Sequence, residues 1–444
     1  MLSMIVKTFR IFVYLIVALM VGALGSCVVE GFDGSVEVLE PNQSEHTLVM
    51  YMFADNNLAG DMMSNIYNAE KGLMKSLPSS RLVVYLDKAD TTLLYELKYL
   101  PYGDGEHIRH CKVLKGYEKQ DSSNPNIMCA VLGDVRELAP SKSYGLVVSG
   151  HGTGWFPKPS SGTSYSDQRV AAKEGCVGQE YKFGHLGEDS MTRFVGYDNW
   201  TPEDSMLSSD LVEGLRDMHF DYIMFDACFM GSVEFLYDLR GAADYIISSP
   251  VEVMNAGMPY EDIIPLFFAP GRDIRRVGET IVDVYKNTGF SSKKSVAVSI
   301  VDCSKLEDLA NELAYIYRCA SEGKEGEPAD VLSTFVDRSR LQPLDRVEPT
   351  AFYDLDDFGL QLCGDDELLL YRWKNALSEA VIYSGHTDDI WSARSAYDYW
   401  WIEYKVDGVL DLCGVSTYLP LKRAPVTASH YYNTSWARKV YGLE

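Results

Sequence analysis

Two residues of the chain combine a reactive side chain with a context that exposes it. One is His151, in Ser149 Gly150 His151 Gly152 Thr153 Gly154 Trp155, and the other is Cys228, in Phe225 Asp226 Ala227 Cys228 Phe229 Met230, 77 positions later. A thiol attacks an acyl carbon as the thiolate, so it needs an imidazole within reach and N–H donors for the oxyanion that forms. His151 and Cys228 could supply imidazole and thiol, and the N–H groups of Gly152 and Cys228 are the natural oxyanion donors. Three glycines around the histidine leave the backbone uncrowded, as the approach of a substrate carbonyl requires. Spacing selects no third residue to orient the imidazole. Every large chain holds some His and some Cys, so the pair alone permits a cysteine peptidase without demanding one.

Such a pair must sit where strands end. Tyr222 to Phe225 is an apolar run bounded by acids, suited to a strand buried on both faces of a parallel sheet. From Ser232 the spacing of Val233, Leu236, Tyr237 and Arg240 turns helical. Cys228 then falls at a strand-to-helix junction, where open α/β sheets bind ligands and helix N-terminal amides favour a thiolate. Side chains two apart on a strand share a face, so Asp226 is expected on the side of Cys228, where a carboxylate suits a basic substrate group. An Asp that caps the following helix is the competing reading. The strand Tyr144 to Ser149 delivers His151 in the same way.

Around these two strands the chain alternates. Strands are expected at 47–54, 81–87, 91–100 (antiparallel, at an edge), 244–249 and 294–301, and helices at 58–74, 126–138, 206–218, 273–286 and 304–319, with Asp55 Asn56 Asn57 Leu58 as the first turn and cap. Pro250 to Tyr260 reads as a loop at the same sheet edge as Cys228. This rhythm predicts an α/β fold with a mostly parallel sheet. Ser321 to Pro328 is solvated and marks a soft boundary. Beyond it an α+β extension, 321–444, is expected to pack on the domain 46–320, with helices near 329–339 and 367–383 and a last strand at 414–419. Its aromatic cluster (Tyr397, Tyr399, Trp400, Trp401, Tyr404) could bind sugar or peptide, but alternating aromatics in a β-type segment read first as packing. Pro157 to Tyr197 is the least regular stretch, with Lys158, Arg169, Lys173, Lys182 and Arg193, and a loop of that length is functional or mobile.

At 444 residues, 46% apolar with seven Trp and 29 Tyr, the chain has ample material for a core. The formal charge of 40 − 64 = −24 argues against binding a nucleic-acid backbone and allows weak attraction of cationic substrates, though a solvated acidic surface is the first reading of it. Lys7 and Arg10 precede fifteen uncharged residues, Ile11 to Gly25, and then Leu24 Gly25 Ser26 Cys27. Fifteen is short of the about 20 residues of a bilayer-spanning helix, so residues 1–26 read as a signal peptide. The small residues before Cys27 resemble a bacterial lipobox. The mature chain would begin at a lipidated Cys27, with 444 − 26 = 418 residues and a flexible tether, 27–45, at the cell envelope (outer membrane or cell surface). An uncleaved anchor or an ordinary secretory signal is the alternative. The remaining seven cysteines show no zinc spacing and no CxxC pair, and most read as small buried residues.

Taken together, the motifs around His151 and Cys228 resemble those of the clostripain family, relatives of caspases, legumains and gingipains. Tyr51 to Leu58 resembles that family's opening strand and turn, Ser248 Ser249 Pro250 with Gly257 Met258 Pro259 Tyr260 its post-nucleophile loop, and Tyr353 to Phe358 and Val415 to Pro420 its C-terminal half. The resemblance runs in motif order from about residue 47 to 440. It implies a caspase-like three-layer α/β/α sandwich and hydrolysis of protein or peptide substrates after Arg or Lys. His151 would be the general acid/base, Cys228 the nucleophile and Asp226 the acid for the substrate's basic side chain, with Glu252 and Asp198 weaker candidates for the same pocket. It also implies activation by cleavage between the His and the Cys, which the basic residues of the insert make a self-processing hypothesis. No cofactor is required; calcium, which some relatives use, stays open, and the acids here form no recognisable EF-hand loop. A catalytically silent surface binding lipoprotein of the same fold is the competing class, and peptide ligation or asparaginyl cleavage a third.

Overall fold

The computed structural model of the protein describes residues 44–77, 79–102, 106–155, 195–197, 205–346, 350, 352–395, 398–402, 410–420 and 431–443. The signal peptide, Cys27, most of the tether, Asp198, Tyr397, Tyr404, Cys176 and the insert up to residue 194, with its five basic residues, lie outside the described residues.

Among the described residues fifteen strands are formed: β1 Thr47–Phe53, β2 Arg81–Lys88, β3 Thr91–Tyr102, β4 Glu106–Tyr117, β5 Tyr144–Ser149, β6 Val195–Tyr197, β7 Ser205–Met206, β8 Phe220–Asp226, β9 Ala243–Ser248, β10 Ala297–Asp302, β11 Tyr353–Asp354, β12 Val381–His386, β13 Trp391–Ser395, β14 Asp398–Trp401 and β15 Ser416–Thr417. Nine of them make one mixed sheet in the order β12-β10-β9-β8-β5-β1-β2-β3-β4. The centre is parallel, from β9 through β8, β5 and β1 to β2. Antiparallel pairs close both sides, β10 and β12 on one and β3 and β4 on the other.

The alternation of side chains along the strands sorts the core into two layers. On β1, Val49, Tyr51 and Phe53 face the helices Pro125–Leu138, Ser208–Leu215, Val233–Asp238 and Leu306–Ala320. Leu48, Met50 and Met52 face the helices Ala59–Met74, Tyr260–Phe267 and Ile274–Asn287. Both sets are fully buried, which is why the sequence of β1 is apolar without a break. Burial of each such side chain contributes roughly 1.5–3 kcal/mol. The outcome is three layers, α/β/α.

Local expectations differ from the structure at several elements, among them the helix expected near 329–339, which is formed only over Pro328–Leu332 with a separate 3-10 turn at Arg338–Arg340. The strand 91–100 is antiparallel as expected but is not the edge, because β4, a strand of mixed polar sequence, pairs outside it. The segment from Tyr260 is helical rather than loop, and that helix carries Pro265 inside it. The expected helix 367–383 stops at Ala380, and from the β-branched Val381 and Ile382 the chain becomes β12, an edge strand of the main sheet. No helix among the described residues is long and apolar enough to cross a membrane.

Candidate active site

β5 and β8 are parallel neighbours with Ser149 opposite Asp226, so the loops that follow them leave the sheet side by side. The Gly150 N–H donates to the Asp226 carbonyl at 3.3 Å, which keeps the loops together past the strand ends. At Gly152 the approach is closer still. A Cβ there would stand 2.5 Å from the Cys228 carbonyl oxygen and 2.7 Å from Met230 Sδ, so only glycine lets the histidine loop lie on the cysteine turn. The His151 carbonyl accepts from Gly196 N–H on β6 at 2.8 Å, and His151 Nε2 lies 2.8 Å from Asn57 Oδ1. An amide oxygen can only accept, so Nε2 carries the proton and Nδ1 is the basic nitrogen.

The turn after β8 carries a constraint of its own. Phe229, next to the thiol, has φ 59°, and among the described residues no other non-glycine residue has a positive φ. A bulky residue in that region costs of order 1–3 kcal/mol and persists only where its surroundings hold it. Here they do. The Phe229 ring stacks on Phe352 at 4.8 Å and 8°, and its N–H donates to the Val251 carbonyl at 3.0 Å. Gly231 N–H donates to the Ser249 carbonyl at 2.7 Å, and the Ser416 N–H donates to the Gly231 carbonyl at 2.9 Å. Glu234, on the next helix, accepts from Thr417 Oγ1 and the Tyr418 N–H, both at 2.9 Å. Burial pushes the Glu234 carboxyl up to about 7.

Cys228 Sγ accepts from the Val253 N–H at 3.3 Å. Burial, and after it the negative charge of Glu252, pushes the thiol up to about 12. The shift favours the neutral thiol, so Cys228 would need a base to take its proton in order to act as a nucleophile. Asp226 is 6% exposed, and its Oδ2 accepts from Tyr260 Oη at 2.7 Å, Asn65 Nδ2 at 3.2 Å and Ser149 Oγ at 3.5 Å. These partners stand on three other elements, not on the helix that follows. Burial pushes the Asp226 carboxyl up to about 6 against the pull of hydrogen bonds from Tyr260, the Met258 backbone and Ser149. Glu252 is 7% exposed and accepts from Ser392 Oγ at 2.9 Å.

His151, Gly152, Asp226, Cys228, Glu252 and Trp391 all line one cavity of about 610 Å³. Five residues singled out from sequence are thus brought together, on a floor of strand ends, with acids on the wall next to the thiol. β8 ends at Asp226, so strand alternation does not reach Cys228; the turn, rather than a shared strand face, brings both into the cavity. Asn57, Asn65 and Tyr260 were not identified from sequence. Asn57 lies in the Asx turn after β1 and Tyr260 in the Gly-Met-Pro-Tyr stretch, but nothing in either motif says which side chain each would meet. Among the described residues no group of three or more His, Cys, Asp or Glu is arranged to hold a metal ion.

The model of the clostripain family matches residues 182–413. No individually curated protein matches. The chain is similar to an inactive zymogen C11 protease from Parabacteroides distasonis, at 25% identity and TM-score 0.70, over 91% of this chain and 100% of that one. It is also similar to a secreted C11 cysteine protease from Bacteroides thetaiotaomicron called iotapain, at 26% identity and TM-score 0.69, over 90% of this chain and 100% of that one. A structure of a secreted C11 cysteine protease from the same organism in complex with an irreversible peptide inhibitor matches at 25% identity and TM-score 0.70, over 89% of this chain and 99% of that one.

Proposed function

The chain belongs to the clostripain family of cysteine peptidases, and on that premise we propose that it is an endopeptidase cleaving after Arg or Lys with Cys228 as nucleophile and His151 as general acid/base. The observation that carries this reading is the meeting of His151 and Cys228 in one cavity whose wall presents the buried carboxyls of Asp226 and Glu252.

In the reaction, Nδ1 of His151 takes the Sγ proton as the sulfur bonds to the scissile carbonyl carbon. The Gly152 and Cys228 N–H groups face the oxygen that gains the charge. The imidazolium then gives its proton to the leaving amine, the C–N bond breaks, and water, deprotonated by the same imidazole, hydrolyses the acyl-enzyme. Asn57 holds Nε2 throughout and so fixes which nitrogen does this work. The substrate's basic head enters beside Asp226 and Glu252.

Two further features belong to this reading. Cleavage within the insert 157–197, at one of its own basic residues, activates the enzyme, in keeping with the zymogen form of a relative. Lipidation at Cys27 anchors the exported protein to the cell envelope. A protein that stays one chain while fully active would refute the first, and absence of fatty-acid labelling that depends on Cys27 would refute the second.

The test of the activity is hydrolysis of fluorogenic peptides with Arg, Lys, Asn, Asp or Leu before the leaving group. Turnover of Arg or Lys peptides is expected, absent in Cys228→Ala and weakened for basic residues in Asp226→Ala. No turnover of any peptide, with or without calcium and after limited trypsin nicking of the insert, would overturn the reading.

A further inference from the structure

The cavity has a side that neither the dyad nor the acids account for. Lys293, in the loop before β10, holds its Nζ 4.0 Å from the centroid of the Trp391 ring, and both residues line the cavity that holds Cys228, Asp226 and Glu252. Trp391 is firmly placed. Its backbone N–H donates to Ser295 Oγ at 2.8 Å, and the neighbouring Ser392 bonds Glu252, so the backbone that carries the indole is tied to the acidic wall through one peptide unit. On β14 the edge of Trp401 packs against it at 4.7 Å and 77°, with Trp400 at 6.0 Å. The aromatic hairpin therefore does more than pack: it presents an indole in the reaction cavity, and a cation already occupies its ring.

We propose that Trp391 is a specificity-determining residue that takes the basic head of the substrate on its indole, and that Lys293 holds that place in the free enzyme until the substrate displaces it. This rests on the reading that Asp226 and Glu252 receive a basic side chain. The chemistry favours Arg over Lys. A guanidinium is planar, weakly hydrated and stacks on an indole while its N–H groups reach a carboxylate, whereas an ammonium is compact and strongly hydrated. An incoming arginine thus gains both the ring and the acids, and Lys293, which is exposed, swings out to water with little loss.

The test uses the full chain and a pair of fluorogenic peptides that differ only in Arg or Lys before the leaving group, with kcat and KM measured separately. Trp391→Ala is expected to raise KM for the Arg peptide about tenfold with kcat within about threefold, and to bring the Arg and Lys peptides close to parity. Trp391→Phe, which keeps a ring in the hairpin, is expected to fall between. Lys293→Met should lower KM for the Arg peptide by a few-fold. Unchanged KM and an unchanged Arg-to-Lys ratio in both Trp391 variants would overturn the proposal, as would a raised KM in Lys293→Met, which would make the lysine an anchor rather than an occupant. If the wild type prefers basic peptides and loses that preference in Asp226→Ala while Trp391 variants behave as wild type, this proposal alone falls. If the wild type shows no preference for basic residues, the acidic-pocket reading falls and takes this proposal with it.

Discussion

The loop that carries His151 and the turn that carries Cys228 leave adjacent strands, yet the protein treats them differently. The imidazole is held by a side-chain hydrogen bond to Asn57 from a turn 94 residues earlier and by the Gly196 N–H on its carbonyl, within a run of glycines. The nucleophile's turn is clasped from several sides: by Ser249 and Val251, by the ring of Phe352, and by Ser416, Thr417 and Tyr418. The difference follows from what each residue must do. A nucleophile has one correct position against the carbonyl, and an error of about 1 Å there costs about a hundredfold in rate. The imidazole must serve first the thiol and then the leaving amine, which are different atoms in different places. The requirement on the Cys228 arm is fixity, and on the His151 arm it is reach to both atoms.

Substitutions can break or sharpen this contrast. Cys228→Ala, which removes the reacting atom and leaves the clasp, is expected to reduce peptide turnover to background with thermal stability near wild type. His151→Ala should lower kcat/KM by about 10²- to 10⁴-fold. It should also abolish labelling of Cys228 by iodoacetamide at neutral pH, because a thiol pushed up to about 12 depends on the imidazole for its reactivity. Glu234→Ala tests the clasp from behind. Loss of the two hydrogen bonds to Thr417 and Tyr418 should destabilise the fold by about 2–4 kcal/mol in chemical denaturation.

Glu234→Gln reads the same clasp through pH. The folded-state pKa of about 7 lies above the ordinary glutamate value of 4.5, so this group's contribution to stability is present below about 4.5 and is lost as pH rises through 7. The melting temperature of the variant, compared with wild type from pH 4.5 to 8, should decline less; an equal decline would show that Glu234 is not the titrating group. Smallest in effect, Asn57→Ala should lower kcat about tenfold with KM and stability near wild type, since its Oδ1 holds His151 Nε2. Should Asn57→Ala destabilise the fold as Glu234→Ala does, the contrast between the arms would collapse.

Much of the site was legible because its parts are local. A buried strand followed by Gly-His-Gly and another followed by Asp-Ala-Cys announce themselves, and the apolar runs of β1, β5 and β8 fix the central sheet. The rest depends on contacts between distant parts. Asn57 belongs to a turn whose sequence shows only that it is a turn. Asp226 could be placed near the thiol by strand alternation, yet the strand stops at that residue and Tyr260, on a helix hidden by its flanking prolines, holds the carboxyl. β4 carries charges on both of its faces because it lies at the open side of the sheet, so no apolar period marks it. β12 follows a helix with no turn between them, and only its β-branched start betrays the change.

The clasp also has a place in time. Ser416 lies 416 − 228 = 188 residues beyond Cys228, and Phe352 lies 352 − 228 = 124 beyond it. Ribosomes add about 5–20 residues per second, so roughly 10–40 s pass between emergence of the thiol and emergence of its last restraint. Throughout that interval the nascent polypeptide carries His151 and Cys228 and lacks the groups that hold the strained Phe229 in place. Assembly of the Cys228 turn is thus deferred until residue 416 has been made, and a ribosome that stalls before it releases a fragment in which that turn is unclasped.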